Sequence, residues 1–178
     1  MEKYEIIKDL YNTDLTTKEN LNSKISIPIA VETILIGALM YYIQLIDKLP
    51  DKTWTGIFDI ILCIFASSNI ISIIITIITY IGTSYKYITT DIVIKIYNNF
   101  EEYYNNYYDQ YFSSNGKTKE ELINIDVENQ IVEIMDTCSK WNINQNTNKS
   151  NRIRFNAVLI GISLISAFIL QTILIFYN

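Results

Sequence analysis

The stretch IFDIILCIFASSNIISIIITIITYI, residues 57–81, carries one charged side chain, Asp59, and decides the class of this protein. A helix needs about 20 mostly apolar residues to cross a bilayer. Two further stretches, 27–46 and 155–177, are also long and apolar enough. The hydrophobic fraction of 49% is therefore concentrated in three blocks. We expect an all-α integral membrane protein with three transmembrane helices.

The polar segments between these blocks define the rest of the predicted layout. An amphipathic cytoplasmic segment is expected at 1–25, because apolar residues recur there at helical spacing before a Thr-rich break. It lacks the basic start of a signal peptide, so the first apolar block should be retained. The remaining expected segments are transmembrane helices at 26–47, 55–83 and 155–177 and a cytoplasmic helical hairpin at 84–154.

Basic residues near the ends of the spans predict the orientation. Lys and Arg are enriched on the cytoplasmic side of transmembrane helices. Only Lys48 and Lys52 flank the expected outer loop, so the N-terminus and the hairpin should be cytoplasmic and the C-terminus outside. The expected inner flank carries Lys18, Lys24, Lys86, Lys95, Lys149, Arg152 and Arg154.

The hairpin itself is predicted from periodicity and turn signals. We expect the second span to continue beyond Gly82 as one long helix, because tyrosines and apolar residues keep recurring at threes and fours. A turn is expected at 113–116, and Thr118 with Glu121 has the pattern of a capping box. The Asn-rich segment NINQNTNKSN, residues 142–151, is expected to connect the hairpin to the third span. Pro28 is expected at the tolerant first turn of the first span.

A polar stripe on the second span is the first candidate site. Its members recur at alternating steps of three and four, which is one face of a helix: Asn69, Ser72, Thr76, Thr79 and Thr83, with Asp59 on the same face further along. Such a stripe indicates either a water-filled pathway or close helix packing, since Ser and Thr serve both. Intramembrane carboxylates favour the pathway, in which these residues line a pore.

Glu32 in the first span is the second intramembrane carboxylate. Three interpretations stay open: it accepts hydrogen bonds from Arg152 or Arg154, it stays protonated, or it lines the pathway and binds ions. Glu32 and Asp59 are expected near opposite ends of a route. Because three spans are too few to enclose a wide channel, a pathway requires several copies around an axis.

A cluster of tyrosines and asparagines in the hairpin is a candidate ligand site. Tyrosine rings stack on nucleobases and a lysine can bind phosphate, so the predicted contacts are Lys95, Tyr97, Tyr104, Tyr107 and Tyr108. The alternative is that these tyrosines form the core of the hairpin. The net charge of −5 argues against binding of bulk nucleic acid. With no histidine in the chain, neither catalysis nor a cofactor is expected.

The three apolar blocks are SIPIAVETILIGALMYYIQLI, IFDIILCIFASSNIISIIITIITYIG and FNAVLIGISLISAFILQTILIFYN. The layout of these blocks around a cytoplasmic helical region resembles small transmembrane effectors of bacterial anti-phage systems. These are the SLATT-domain proteins and the channel effector of the Hailong system. The resemblance implies a homo-oligomeric channel in the bacterial inner membrane, tetrameric in the Hailong case. It further implies gating by a nucleotide or oligonucleotide, depolarisation of the membrane, and a nucleotidyltransferase encoded nearby. A non-conducting anchor or immunity-type interaction protein and a holin-like pore former are the alternatives.

Overall fold

The computed structural model describes residues 2–46, 52–112 and 116–177, and 92% of these described residues are helical. Four α-helices follow one another: α1 (Glu2–Ile43), α2 (Lys52–Ile81), α3 (Thr90–Tyr107) and α4 (Lys119–Tyr177). A π-helical turn, Tyr108–Phe112, extends α3. The described residues contain no strand. The predicted all-α class is therefore confirmed.

Three of these helices are long and apolar enough to cross a membrane. They correspond to Glu5–Ile43, Trp54–Ile81 and Lys119–Phe176. This agrees with the three predicted spans by length and composition. The expected outer loop at 47–52 lies outside the described residues except for Lys52, with which α2 begins, and so does most of the turn at 113–116. Gly116, at the end of that turn, has φ = +69°, which glycine adopts without strain.

The second span does not continue into the hairpin, and this prediction was wrong. α2 ends at Ile81, and residues 82–89 are non-helical before α3 begins at Thr90. The Gly82 N–H still bonds to the Ile78 carbonyl at 2.8 Å. A Cβ at Gly82 would lie 2.5 Å from that same oxygen, so this conformation requires glycine.

The connector expected at 142–151 is also absent, because this segment is part of α4, which runs unbroken from Lys119 to Tyr177. Asparagine is a mediocre helix former. Here tertiary contacts outweigh that preference, since three polar side chains of the segment, Asn142, Asn146 and Lys149, are buried on one face. The helix that continues into a predicted span is therefore α4 and not α2.

α1 is one helix where a break was expected. Thr16 and Thr17 are helical, and the Thr16 hydroxyl donates to the Asn12 carbonyl at 3.0 Å, one turn earlier. Pro28 lies inside this helix and not in its first turn, which corrects the prediction. Because proline has no N–H, α1 lacks one backbone hydrogen bond there.

The chain divides into two compact units. Unit 1 comprises Met1–Lys18 and Ser84–Asn146, and unit 2 comprises Glu19–Thr83 and Thr147–Asn178. In unit 1, α3 packs on the first part of α4 through a core of Ile96, Tyr104, Ile123 and Val127. The predicted capping box opens α4: the Thr118 N–H donates to Glu121 Oε2 at 2.7 Å and the Glu121 N–H donates to Thr118 Oγ1 at 3.2 Å.

Unit 2 packs the apolar parts of α1, α2 and α4 against one another. Phe58, Phe65 and Leu170 have no solvent exposure at its centre. The Tyr42 hydroxyl crosses from α1 to α4 and donates to the Ala167 carbonyl at 2.9 Å. Many large side chains on the outer faces of the three helices are exposed, among them Ile34, Ile60 and Phe168. An apolar surface of this kind is typical of lipid contact.

Candidate functional site

A buried polar seam runs through the centre of unit 2. We use this name for Glu32 of α1, for Asn69, Ser72, Thr76 and Thr79 of α2, and for Asn156 of α4. Each of these side chains is less than 9% exposed, and Ser72 is fully buried. The structure therefore brings together five of the seven predicted pore residues. They face the neighbouring helices of the same chain.

Glu32 is the centre of this seam. Its Oε1 atom lies 2.6 Å from Ser72 Oγ, 2.7 Å from Thr76 Oγ1 and 3.1 Å from Asn156 Nδ2. Asn156 makes two further contacts: Nδ2 donates to Thr76 Oγ1 at 2.7 Å, and Oδ1 lies 2.6 Å from Ser72 Oγ. One carboxyl oxygen thus joins α1 to both other helices of the unit.

The partners of Glu32 are neutral. One of the three open interpretations had Arg152 or Arg154 as the donor, but Ser72, Thr76 and Asn156 take that role. Within the described part of the chain the salt bridge observed joins Lys140 to Asp136. A buried carboxyl group with neutral partners is expensive if it is ionised.

Asn69 is the second unusual member of the seam. It is 1% exposed, and neither Oδ1 nor Nδ2 has a hydrogen-bond partner among the described residues. Two neighbouring polar pairs are satisfied: Ser68 Oγ lies 2.7 Å from Ser163 Oγ, and the Thr79 hydroxyl donates to the Ile75 carbonyl at 2.6 Å. An unpaired buried amide costs on the order of 1–3 kcal/mol.

Two predicted pore residues lie outside the seam. Asp59 is exposed on the surface of α2, whereas Phe58 and Leu62 beside it are buried. Thr83 is partly exposed, follows the end of α2, and donates to the Thr79 carbonyl at 3.1 Å. The expected alignment of Asp59 with the buried stripe is therefore not observed in this chain.

The contribution of α4 to the seam was not predicted from the sequence. Asn156 completes the seam, and it belongs to a row of buried polar residues spaced by threes, fours and sevens: Ser139, Asn142, Asn146, Lys149, Asn156 and Ser163. This periodicity is as regular as that of α2. The sequence contains this spacing, but the Asn-rich segment was predicted to be a connector and not a helix.

An apolar groove opens beside Glu32. Its volume is about 280 Å³, and isoleucines from α1 and α2 form most of its wall. Glu32, Thr33, Thr76 and Tyr80 contribute the polar atoms. The seam therefore has one side on which a carboxyl group borders open space.

The predicted ligand residues fall into two groups. Tyr104 and Tyr108 belong to the core between α3 and α4, as the alternative interpretation expected, whereas Lys95, Tyr97 and Tyr107 are exposed. The Tyr108 hydroxyl donates to the Lys117 carbonyl at 2.7 Å. The stacking surface that remains is a row of exposed rings, Tyr103, Tyr107 and Tyr111, whose successive centroids are 5.2 and 6.3 Å apart.

The non-helical segment after α2 is held by side chains of unit 1. Asn142 donates from Nδ2 to the Lys86 carbonyl and accepts from the Lys86 N–H through Oδ1, both at 3.0 Å. The Trp141 indole N–H donates to the Ser84 carbonyl at 2.9 Å, and the Tyr11 hydroxyl accepts from the Ile88 N–H at 3.1 Å. These side chains satisfy backbone groups that a helix would otherwise pair.

This segment also borders an open cavity in unit 1. The cavity has a volume of about 490 Å³ and combines one cation, one aromatic ring and several polar groups. Its polar lining consists of Lys86, Tyr87, Gln130, Glu133, Thr137 and Cys138. Burial raises the pKa of the Cys138 thiol, while the charge of Lys86 opposes that shift. Cys138 is therefore a protonated wall residue at neutral pH.

Comparisons of the chain with protein-family models, with curated proteins and with solved structures find no match.

Proposed function

We propose that this protein is a homo-oligomeric membrane channel and that the polar seam is its ion route. One observation carries the proposal: Glu32 and Asn69 lie buried in a unit built from three span-like helices. Glu32 has only neutral hydrogen-bond partners, and the Asn69 amide has no partner among the described residues. A carboxylate in a span costs roughly 2.5–3.5 kcal/mol on insertion scales, and intramembrane ionisable groups usually mark ion or proton pathways.

The seam is in a closed arrangement, by which we mean that its hydroxyl, carboxyl and amide groups bond to one another across α1, α2 and α4. Conduction therefore requires a rearrangement that exchanges these bonds for contacts with water and ions. In a homo-oligomer, α2 would turn its polar face toward a shared axis, where the unpaired Asn69 amide would gain partners.

The cavity of unit 1 is the best candidate for a controlling ligand. Tyr87 contributes an aromatic ring, with the Lys18 ammonium 4.7 Å from its centroid, and Lys86 contributes a positive charge, which suits a nucleotide or short oligonucleotide. Both residues follow the end of α2 in the chain, so a ligand that displaced them would act on the helix with the polar stripe. The layout resemblance adds support for an anti-phage effector in the bacterial inner membrane, with a cytoplasmic hairpin and a nucleotidyltransferase partner.

Ion flux from liposomes tests the proposal. Purified protein should release ions once activated, and Asn69→Leu should reduce flux at least tenfold because leucine dries the route. Ser67→Leu is the matched control: Ser67 is also on α2 but lies outside the seam, where its hydroxyl donates to the Ile64 carbonyl of its own helix, so flux should be unchanged. Equal flux from both variants would exclude the seam as the route.

A second function, a non-conducting membrane anchor or interaction protein, is favoured by the closure of the seam. In that case the polar residues serve only to hold the three helices together. Asn69→Leu then removes an unpaired buried amide and should stabilise the protein by about 1 kcal/mol or more. A stabilised Asn69→Leu variant, together with wild-type protein that conducts nothing under any condition, would support the anchor.

A further inference from the structure

Five polar contacts lie around Glu32, and a hydrogen bond at each of them needs one proton. They join Glu32 Oε1 to Ser72 Oγ, Thr76 Oγ1 and Asn156 Nδ2, and they join the Asn156 amide to Ser72 Oγ and Thr76 Oγ1. Each contact between two oxygens at 2.6–2.7 Å requires a proton between them. Ser72 and Thr76 bring one proton each, and the amide nitrogen brings two.

An ionised Glu32 leaves this network one proton short. The Thr76 proton goes to Glu32, and the two amide protons of Asn156 go to Glu32 and Thr76. The single Ser72 proton then has two acceptors, Glu32 Oε1 and Asn156 Oδ1, both at 2.6 Å. One of these close oxygen pairs would hold no proton and would be repulsive.

Neither a flipped Asn156 amide nor a bound metal ion accounts for these distances. Exchanging the oxygen and nitrogen of the amide places its oxygen against Glu32 and Thr76, and more contacts then lack a proton. A metal ion would hold its ligands further apart. Two oxygens that bind one Ca²⁺ at right angles lie roughly 3 Å or more from each other, because each bond is at least about 2.3 Å.

We propose that Glu32 is a proton-binding site and that its proton holds the seam closed. The proton sits on Oε1 and is donated to Ser72 Oγ, and the Ser72 hydroxyl donates in turn to Asn156 Oδ1. All five contacts then carry a proton. Loss of this proton leaves a repulsive pair and a buried negative charge, so the closed packing of α1, α2 and α4 loosens. The assignment of the proton rests on geometry alone, and its effect on opening rests on the proposed channel function.

No charged side chain on the described parts of the three helices forms a hydrogen bond or an ion pair with the Glu32 carboxyl group in place of that proton. The nearest charged and titratable groups in the chain are Lys24, Tyr41 and Tyr42 on α1, Asp59, Cys63 and Tyr80 on α2, and Lys149, Arg152 and Arg154 on α4. Lys149 and Tyr42 are the buried ones among these; Lys149 donates to Asn22, and the Tyr42 hydroxyl donates to the Ala167 carbonyl. Lys149 precedes Asn156 by seven residues, which is about 10 Å along the helix. Lys24, Asp59, Tyr80 and Arg154 are exposed.

Infrared difference spectroscopy of the full chain in lipid vesicles tests the site directly. The carbonyl stretch of a protonated carboxyl group should be present at neutral pH, shift in heavy water, and disappear at alkaline pH. Glu32→Gln should abolish this band, because glutamine keeps a neutral donor and acceptor but has no carboxyl group. Asp59→Asn, which alters the other carboxyl group of a span, should leave the band unchanged. A wild-type spectrum without the band at neutral pH, or a band that survives Glu32→Gln, would overturn the proposal.

Flux measurements separate this proposal from the channel function. If wild-type flux rises on alkalinisation and Glu32→Gln removes that rise, the proton controls opening. Flux that is present but independent of pH would contradict the proposal that the Glu32 proton controls opening, while the proposed channel function would stand. A protein that shows the Glu32 band but conducts at no pH contradicts the channel, and the proton site itself stands.

Discussion

Tyr104 shows how one side chain in unit 1 combines burial with a charged partner. It is 4% exposed, and its hydroxyl donates to Asp126 Oδ2 at 2.6 Å. Burial is the main reason why the pKa of Tyr104 rises from 10.0 to about 12, and the hydrogen bond to Asp126 adds to the shift. The phenol is therefore neutral in the folded chain at pH values where an unfolded tyrosine already ionises.

This pKa predicts loss of stability in alkali. A group whose pKa is raised on folding stabilises the fold fully below its unfolded pKa, and this contribution is lost as pH rises through the folded pKa. The unfolding free energy of wild-type protein should therefore fall between pH 10.0 and about 12 relative to Tyr104→Phe. Denaturant unfolding across that range measures the difference. Tyr107→Phe, at an exposed ring, is the control and should follow wild type; a Tyr104→Phe variant with the same pH dependence as wild type would contradict this assignment.

At the scale of elements, α4 gives the molecule its most unexpected feature. It passes through the Asn-rich segment without interruption, although that composition is typical of loops. The buried asparagines Asn142 and Asn146 account for this, since each bonds to backbone or side-chain groups of unit 1 from one face of the helix. Helical continuity here follows from what these side chains bind.

Substitutions at Asn148 distinguish a helix from a connector. Asn148 is exposed within α4. Its replacement therefore tests the conformation of the backbone and removes no buried side-chain contact. Asn148→Pro should destabilise the protein by about 3 kcal/mol, because proline removes a helical hydrogen bond and clashes with the preceding turn. Asn148→Ala should be neutral or slightly stabilising. Thermal unfolding in detergent measures both, and a tolerated proline would mean that the segment is not helical in the folded protein.

At the scale of the whole molecule, orientation in the membrane has the largest consequence for function. The basic flanks predict that residues 84–154 are cytoplasmic, which is where a signal inside the cell would reach the cavity beside Lys86. Cys138 is a poor reporter of this, since it is 5% exposed and its thiol pKa is raised. An exposed position of the same helix is better suited.

Lys140→Cys in a background of Cys63→Ala and Cys138→Ala tests the orientation. The Lys140 side chain is 74% exposed, so a membrane-impermeant thiol reagent should reach it readily once cells are opened. We expect no labelling in intact cells, whereas Asp51→Cys in the expected outer loop should label without opening. The reverse pattern would place the hairpin and its cavity outside the cell.

Some features follow from the sequence alone because their causes are local. Three apolar stretches determine three span-like helices, since their length and composition do not depend on neighbours. The capping box at Thr118 and Glu121 and the stripe on α2 are likewise set by spacing within one helix. The interruption after Ile81 was less readable, because a glycine is compatible with both a break and a continuing helix until its surroundings are known.

Tertiary structure alone decided which groups meet. Asn156 lies 124 residues after Glu32 and yet contacts its carboxyl oxygen, and Asn142 bonds the backbone of Lys86 from 56 residues away. It also decided that Tyr104 enters a core while Tyr107 stays exposed, although both have the same local pattern. The physical reason is that a periodic stripe specifies a face of one helix but not its partner. Only the packing of α1, α2 and α4 determines which polar atoms come into hydrogen-bond contact.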